Sequence, residues 1–338
     1  MMEKEAYEFN GRSRKKLNPQ GQYNWHNPAR VPLKNSEPQR KIALILLLLT
    51  FLGIAFFWLR VELGKIWQEL IKPQTLEIVS PGKAKGASTT TTGAVINQIE
   101  DLTKYLQGYY GVYIYSLSSK EAYGTKKSEV FPAASINKVP IMLAFYREIE
   151  KGNLSLNQEY ELKAEDIQGY GTGGMRYQPA GTVYTYEQLL DLTGKQSDNT
   201  AAHVLANILG KENIEKFDQF LGLKNTSIEG NETTPEELGK LFNLVYTGGI
   251  LKTEKYKKQF FDNLTKTDFE KRIPAGLPSG TETAHKVGSG DQAYHDCGIV
   301  FATKPYIICI MSRQAAEAEA LEVIPKISQL IWEHEESR

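Results

Sequence analysis

The stretch Pro132-Ala133-Ala134-Ser135-Ile136-Asn137-Lys138, carried on by Val139-Pro140-Ile141-Met142-Leu143-Ala144-Phe145, decides how this chain is read. It sets a hydroxyl and an amine three residues apart. On a helix, positions i and i+3 share a face, so Lys138 can reach the Ser135 oxygen. Pro132 and the small pair Ala133-Ala134 mark a helix start, and the apolar run predicts that the helix is buried. Taken alone, Ser135 could be a helix-capping serine beside a solvated lysine. The same spacing recurs at Ser13–Lys16 in a basic tail and at Ser80–Lys83 in a Pro/Gly linker, and neither leads into an apolar helix.

Two later motifs change the weighting. Ser197-Asp198-Asn199 follows Ser135 by 62 residues, and Lys286-Val287-Gly288 follows Ser197 by 89. The second motif offers another hydroxyl and an amide. The third offers a second cation and a small residue where backbone must approach a ligand. A nucleophile, a base and electrophilic help are the parts that acyl transfer needs.

Other candidates carry less. Gly169-Tyr170-Gly171-Thr172-Gly173-Gly174 contains G-x-G-x-x-G, but no strand-then-helix frame surrounds it, so it reads as a glycine-rich rim. There is no G-x-S-x-G elbow, and His285 reads as a structural histidine. Two cysteines and five histidines show no zinc spacing, so neither a metal nor a cofactor is expected. Cys297 and Cys309 lie in apolar runs and read as buried small residues. A disulfide between them is allowed outside the cytoplasm but not required.

The 338-residue chain has no formal net charge, yet residues 1–41 carry nine Lys/Arg against four Asp/Glu. No basic stripe with interleaved aromatics suggests nucleic acid. Residues 42–59, IALILLLLTFLGIAFFWL, are 18 uncharged residues flanked by Arg40-Lys41 and Arg60. A helix apolar on every side fits lipid, at close to the length a bilayer core needs. The basic excess before it predicts a cytoplasmic N-terminus, with the rest of the chain outside the cell membrane. The span begins after 41 residues and has no small-x-small site close behind, so it reads as an uncleaved single-pass anchor.

The expected organisation is a disordered tail over 1–40, a transmembrane helix over 42–59, a juxtamembrane helix and flexible linker over 60–92, and one folded domain over 93–338. Within that domain Ala94–Leu106 reads as a helix and Tyr109–Leu117 as a strand, with Glu121–Phe131 returning beside it. Helical patterns fill 186–248. Cys297–Ala302 and Tyr306–Met311 flank a turn at Thr303-Lys304-Pro305, and a last helix covers about Ala315–Glu333. Strands at both ends with helices between predict an α/β (α+β) domain: an antiparallel sheet built from both termini, flanked by helices, with an inserted all-α subdomain.

Over about 93–335 the chain resembles the penicillin-binding serine acyltransferases, and most closely the class A β-lactamase branch. Gly181-Thr182-Val183-Tyr184-Thr185, Ser197-Asp198-Asn199-Thr200-Ala201-Ala202, Arg272-Ile273-Pro274-Ala275-Gly276-Leu277-Pro278 and His285-Lys286-Val287-Gly288-Ser289-Gly290-Asp291 carry the likeness. The resemblance implies Ser135 as nucleophile, Lys138 as base, Ser197 as proton relay, and Asn199 as a hydrogen-bonding partner of Lys138 and substrate. It implies Lys286 as positive charge, the backbone N–H groups of Ser135 and Ser289 as oxyanion hole, and Val287, Gly288 and Ser289 as substrate-binding strand. Two departures stand out. Val287 replaces a residue that usually bears a hydroxyl. The segment from Leu223 to Thr234 looks too short for the loop whose glutamate activates water, leaving only Glu229 and Glu232, which read as solvated. The expected partner is a β-lactam or a D-Ala-D-Ala peptide. The expected function is acylation at Ser135 with slow deacylation. A D-Ala-D-Ala carboxypeptidase is the alternative, and a non-hydrolytic sensor module is a third reading that the intact motif set opposes.

Overall fold

The computed structural model describes residues 92–338. The tail 1–40, the apolar span 42–59 and all but the last residue of the 60–92 connector lie outside the described residues. Among the described residues no helix is long and apolar enough to cross a membrane.

The chain runs α1 (Thr92–Thr103), β1 (Tyr109–Ser116), β2 (Ala122–Thr125), β3 (Phe131–Pro132), α2 (Lys138–Glu150), β4 (Glu159–Glu161), β5 (Val183–Thr185), α3 (Tyr186–Lys195), α4 (Asn199–Leu209) and α5 (Lys211–Phe220). It continues through β6 (Glu232–Thr233), α6 (Pro235–Tyr246), α7 (Glu254–Asp262), β7 (Glu282–Gly290), β8 (Ala293–Phe301), β9 (Tyr306–Arg313) and α8 (Glu317–Ser337). Five strands form one antiparallel sheet in the order β2-β1-β9-β8-β7. Its first two strands come from the start of the domain and its last three from the end.

Alternation along the strands explains why both faces are covered. In β9, Tyr306, Ile308 and Ile310 join Val112 and Ile114 of β1 against Val95 and Ile99 of α1 and Val323, Ile324, Ile327 and Ile331 of α8. Ile307, Cys309 and Met311 face the other way, with Tyr113, toward the helical subdomain. An unbroken apolar run is what a strand buried on both faces requires. Each such side chain contributes about 1.5–3 kcal/mol by burial.

The helix α2 passes through the second core. Val139, Met142, Leu143 and Phe145 are fully buried, and a helix apolar on all sides must be surrounded. At the start of α6, Thr234 accepts a hydrogen bond from the Glu237 N–H at 3.1 Å, and Pro235 sits in the first turn, where its missing N–H costs nothing.

Three details differ from the sequence reading. The chain makes a 3-10 turn over Ala134–Asn137 before α2 begins at Lys138, and the Ser135 side chain caps no helix. Two short ribbons, β3–β6 and β4–β5, are present; two or three residues are too few to show a period. Cys297 and Cys309 are not two separate thiols. The β8–β9 register sets them opposite each other, and they are joined as a disulfide.

Candidate active site

Ser135 sits in the 3-10 turn ahead of α2, Ser197 and Asn199 at the α3–α4 junction, and Lys286 on β7. They are distant in sequence and meet at one edge of the sheet. Alternation on β7 aims Lys286 at the same face as Ala284, toward the helical core, and sends His285 to the opposite face. Gly288 lets the strand and the serine turn come close: a Cβ there would meet the Ala133 carbonyl oxygen at 3.0 Å and the His295 ring at 2.9 Å.

Lys138 Nζ is the centre of the cluster. It lies 2.5 Å from the Ser197 carbonyl oxygen, 2.6 Å from Asn199 Oδ1, and 3.1 Å from both Ser135 Oγ and Ser197 Oγ. The first two partners can only accept. A neutral amine has two N–H groups and one lone pair, so these acceptors occupy both hydrogens and the lone pair is left for a hydroxyl. Burial lowers the Lys138 pKa to about 8, against the opposing charge of Asp198. Lys286 is buried as well, and that desolvation, with Lys138 as a neighbouring cation, depresses it well below the usual lysine range. Its Nζ donates to Ser197 Oγ at 2.8 Å and to the Val287 carbonyl at 3.0 Å. Ser197 Oγ therefore bridges two amines, an arrangement that can pass a proton.

Backbone strain marks the same place. Ala134 has φ +48° and Ser197 has φ +52°. Non-glycine residues adopt this conformation at a cost that surrounding structure must offset. Around Ser197 the offset is visible. Its carbonyl also accepts from Thr172 Oγ1 at 2.7 Å. Asp198 caps α4 by accepting from the Ala201 N–H at 2.9 Å, and it holds the glycine-rich rim through the Met175 N–H at 2.8 Å. Gly173 is required there, since a Cβ would fall 2.0 Å from Asp198 Oδ2.

Several site residues have partners that the sequence did not show. Arg272, 5 % exposed, donates to the Gly288 carbonyl at 2.8 Å, to the His295 carbonyl at 2.5 Å and to Ser289 Oγ at 2.6 Å. It brings a guanidinium behind the strand at the point where Val287 lacks a hydroxyl. Burial pushes His295 down to about 4, so its ring is neutral. It donates from Nε2 to the Pro132 carbonyl at 2.6 Å and accepts the Ser312 N–H at 3.0 Å, fixing the approach to the serine turn. His285 is the structural residue expected. Burial would lower its pKa, but Asp296 Oδ1 at 2.8 Å and Glu270 Oε1 at 3.2 Å raise it to about 9.

These groups border a cavity of about 530 Å³. Ser135, Lys138, Ser197, Asn199, Val287 and Ser289 line it; Lys286 lies just behind. Ile228 and Asn231, from the short segment between α5 and α6, also line it, and the Asn231 carbonyl accepts the Ala133 N–H at 2.7 Å beside the serine turn. That segment is clamped by Glu237, whose carboxylate accepts the Lys224 N–H at 2.9 Å, the Asn225 N–H at 3.1 Å and the Thr226 hydroxyl at 2.7 Å. No Asp or Glu is among the described residues that line the cavity. Glu229 reaches out to Lys211 at 3.4 Å, and Glu232 is exposed on β6. Among the described residues no His/Cys/Asp/Glu group could hold a metal ion.

Comparison with known proteins fits this geometry. Residues 94–334 match the model of the beta-lactamase enzyme family. The chain is similar to beta-lactamase VEB-1 of Pseudomonas aeruginosa, 27% identical over 73% of this chain and 92% of that one. It is also similar to the extended-spectrum beta-lactamase PER-1 of the same organism, 24% identical over 70% of this chain and 86% of that one. Among solved structures it resembles PBP-A, determined as a mutant in an acyl-enzyme complex with penicillin G. The TM-score is 0.69 and the identity 26%, over 73% of this chain and 97% of that chain. The chain belongs to the beta-lactamase enzyme family, as a class A β-lactamase-like serine hydrolase.

Proposed function

We propose that this protein is a penicillin-binding acylase: a β-lactam or a D-Ala-D-Ala peptide acylates Ser135, and the acyl-enzyme is released slowly. The observation that carries this reading is the contrast around one cavity. The Ser135–Lys138–Ser197 network is complete, and no carboxylate lines the wall where water must attack.

The steps follow from the atoms present. Ser135 Oγ attacks the substrate carbonyl carbon while its proton passes to the Lys138 lone pair. The oxyanion that forms is held by the backbone N–H groups of Ser135 and Ser289. Lys286 and Arg272 supply positive charge for a substrate carboxylate, with Ser289 Oγ as the hydroxyl that Val287 lacks. The proton then moves through Ser197 Oγ to the leaving nitrogen, and the carbon–nitrogen bond breaks. Asn199 keeps Lys138 oriented throughout.

The D-Ala-D-Ala carboxypeptidase reading is favoured by the short α5–α6 segment and by membrane anchoring. The apolar stretch 42–59 and the charge bias before it support a single-pass anchor, cytoplasmic N-terminus and extracytoplasmic catalytic domain. The Cys297–Cys309 disulfide is consistent with an oxidising compartment.

Intact-mass measurement of the full chain with penicillin G tests the proposal. The expected result is an adduct of one drug molecule, mapped to Ser135, that forms faster than it decays. Failure to form any adduct would overturn the reading. So would turnover at about 10 s⁻¹ or faster, an ordinary enzyme rate.

A further inference from the structure

Ala134 carries strained backbone next to the nucleophile, at φ +48°. Such strain persists only where neighbouring structure over-determines it. On the strand side, His295 donates to the Pro132 carbonyl at 2.6 Å and Gly288 lets β7 come close. On the other side the contacts come from the α5–α6 segment. β3 pairs with β6 through Phe131–Thr233 and Pro132–Glu232. The next pair in that register is Ala133 with Asn231, and the Ala133 N–H donates to the Asn231 carbonyl at 2.7 Å. Asn231 itself has φ +50°, a conformation that asparagine tolerates better than most side chains.

Asn137 adds a second tie, from the residue before Lys138. It is 8% exposed. Its Nδ2 donates to the Ser227 carbonyl at 3.3 Å and to Asn231 Oδ1 at 3.4 Å. The Ser227 carbonyl can only accept, which fixes the orientation of the amide. The Asn137 Oδ1 is buried with no hydrogen-bond partner. An unpaired buried acceptor carries its full desolvation penalty, so the amide costs stability. Nor does the Ser227 carbonyl depend on it, since that oxygen also accepts the Glu232 N–H at 3.1 Å. A polar group held at a cost beside Lys138 needs another reason.

We propose that Asn137 and Asn231 are positioning residues for Ser135. They brace the 133–137 turn against the α5–α6 segment, which keeps Ser135 Oγ at 3.1 Å from Lys138 Nζ. Neither residue exchanges a proton; each acts through the turn. The inference rests on the acylase reading above, and it gives the short segment a task in the acylation step. A misplacement of about 1 Å at a reacting group can cost about 10²-fold in rate.

The test uses the full chain with penicillin G. It measures the acylation rate constant at saturating drug, the drug concentration that gives half that rate, and the thermal midpoint. Asn137→Leu keeps a similar shape and removes the unpaired acceptor, so the midpoint should not fall. Acylation at saturation should nevertheless slow about tenfold or more, with the half-saturating concentration unchanged. A residue that serves stability alone would not separate these readouts. Asn231→Ala and Asn231→Gly remove the same side-chain contact but differ in how readily they hold φ +50°. The alanine variant should acylate more slowly than the glycine variant. Wild-type acylation by Asn137→Leu would overturn the proposal. So would slower acylation with a matching fall in the midpoint, or a failure to fold, since each marks a structural role. Equal rates for the two Asn231 variants would overturn the part given to Asn231. Absence of any wild-type adduct would instead defeat the acylase reading itself.

Discussion

The two walls of the active-site cavity are built differently. The Ser135 wall draws on a 3-10 turn, a helix junction and an edge strand, and its reacting groups are densely hydrogen-bonded to one another. Lys138 alone has four oxygen neighbours within 3.1 Å. The other wall is a short segment between two helices. It offers Ile228 and Asn231, and Glu237 holds it through Lys224, Asn225 and Thr226. The lesson is that the cavity is assembled from separate pieces of chain: the Ser135–Lys138–Ser197 cluster rests on the sheet edge and the helical core, whereas the segment beside it is a short loop held by one carboxylate.

The sharpest way to break this comparison is to remove the nucleophile. Ser135→Ala should eliminate the covalent adduct, read by intact mass after incubation with penicillin G. An undiminished adduct would move the reaction off this wall altogether. Lys138→Ala comes next and should slow acylation by about 10²-fold or more, the usual worth of general-base help. In the wild type the base acts in its neutral form, and its pKa is lowered to about 8. The acylation rate should therefore climb as pH rises through about 8 and level off above it. A flat profile from pH 6 to 9 would assign the proton to another group.

The opposite wall can be sharpened by supplying what it lacks. Ile228→Glu places a carboxylate on the α5–α6 segment facing the cavity. Adduct decay should quicken about tenfold or more if a base beside the water is limiting, while Ser135 labelling persists. Decay that stays unchanged would show that the segment does not face the attacking water.

The smallest effect concerns the support of that wall. Asp218 on α5 is buried, and neither carboxylate oxygen has a partner. Burial, with Glu215 and Glu237 nearby, raises its pKa to about 7. The folded state thus binds this proton more tightly than the unfolded chain, whose value is about 3.9. The resulting penalty is absent at pH 4 and grows as pH rises to 7 and above. Asp218→Asn should raise stability at pH 8 by about 1 kcal/mol, and the gain should vanish near pH 4. Chemical denaturation at the two pH values would check it.

Much of this was legible along the chain. Ser135 and Lys138 stand one turn apart because three-residue spacing is a local property of a helix, even though a 3-10 turn precedes it. The apolar run of β9 announced a strand buried on both faces, and strands at both ends announced the sheet. The shortness of the Leu223–Thr234 segment was readable as length alone. Arg272 and Asn137 stood in quoted motifs, but their contacts and those of His295 were not readable, since local pattern does not encode distant partners: Arg272 acts through Gly288, 16 residues on, and His295 through Pro132, 163 residues back. The disulfide was undecided for the same reason, because strand register, not the spacing of the cysteines, sets Cys297 opposite Cys309.

By itself the sequence determined which chemical groups are present, their order, the three-residue spacing that sets Ser135 and Lys138 one turn apart, and the apolar periodicities that select a sheet between two layers. These follow from short-range sterics and hydrophobic patterning. Only the tertiary structure decided that Lys138 is buried among four oxygens and that Lys286 meets Ser197 from another strand. It alone left Asn137 Oδ1 unpaired beside a wall with no carboxylate. Those facts depend on desolvation and on distances between residues far apart in the chain, and both arise only when the core closes around them.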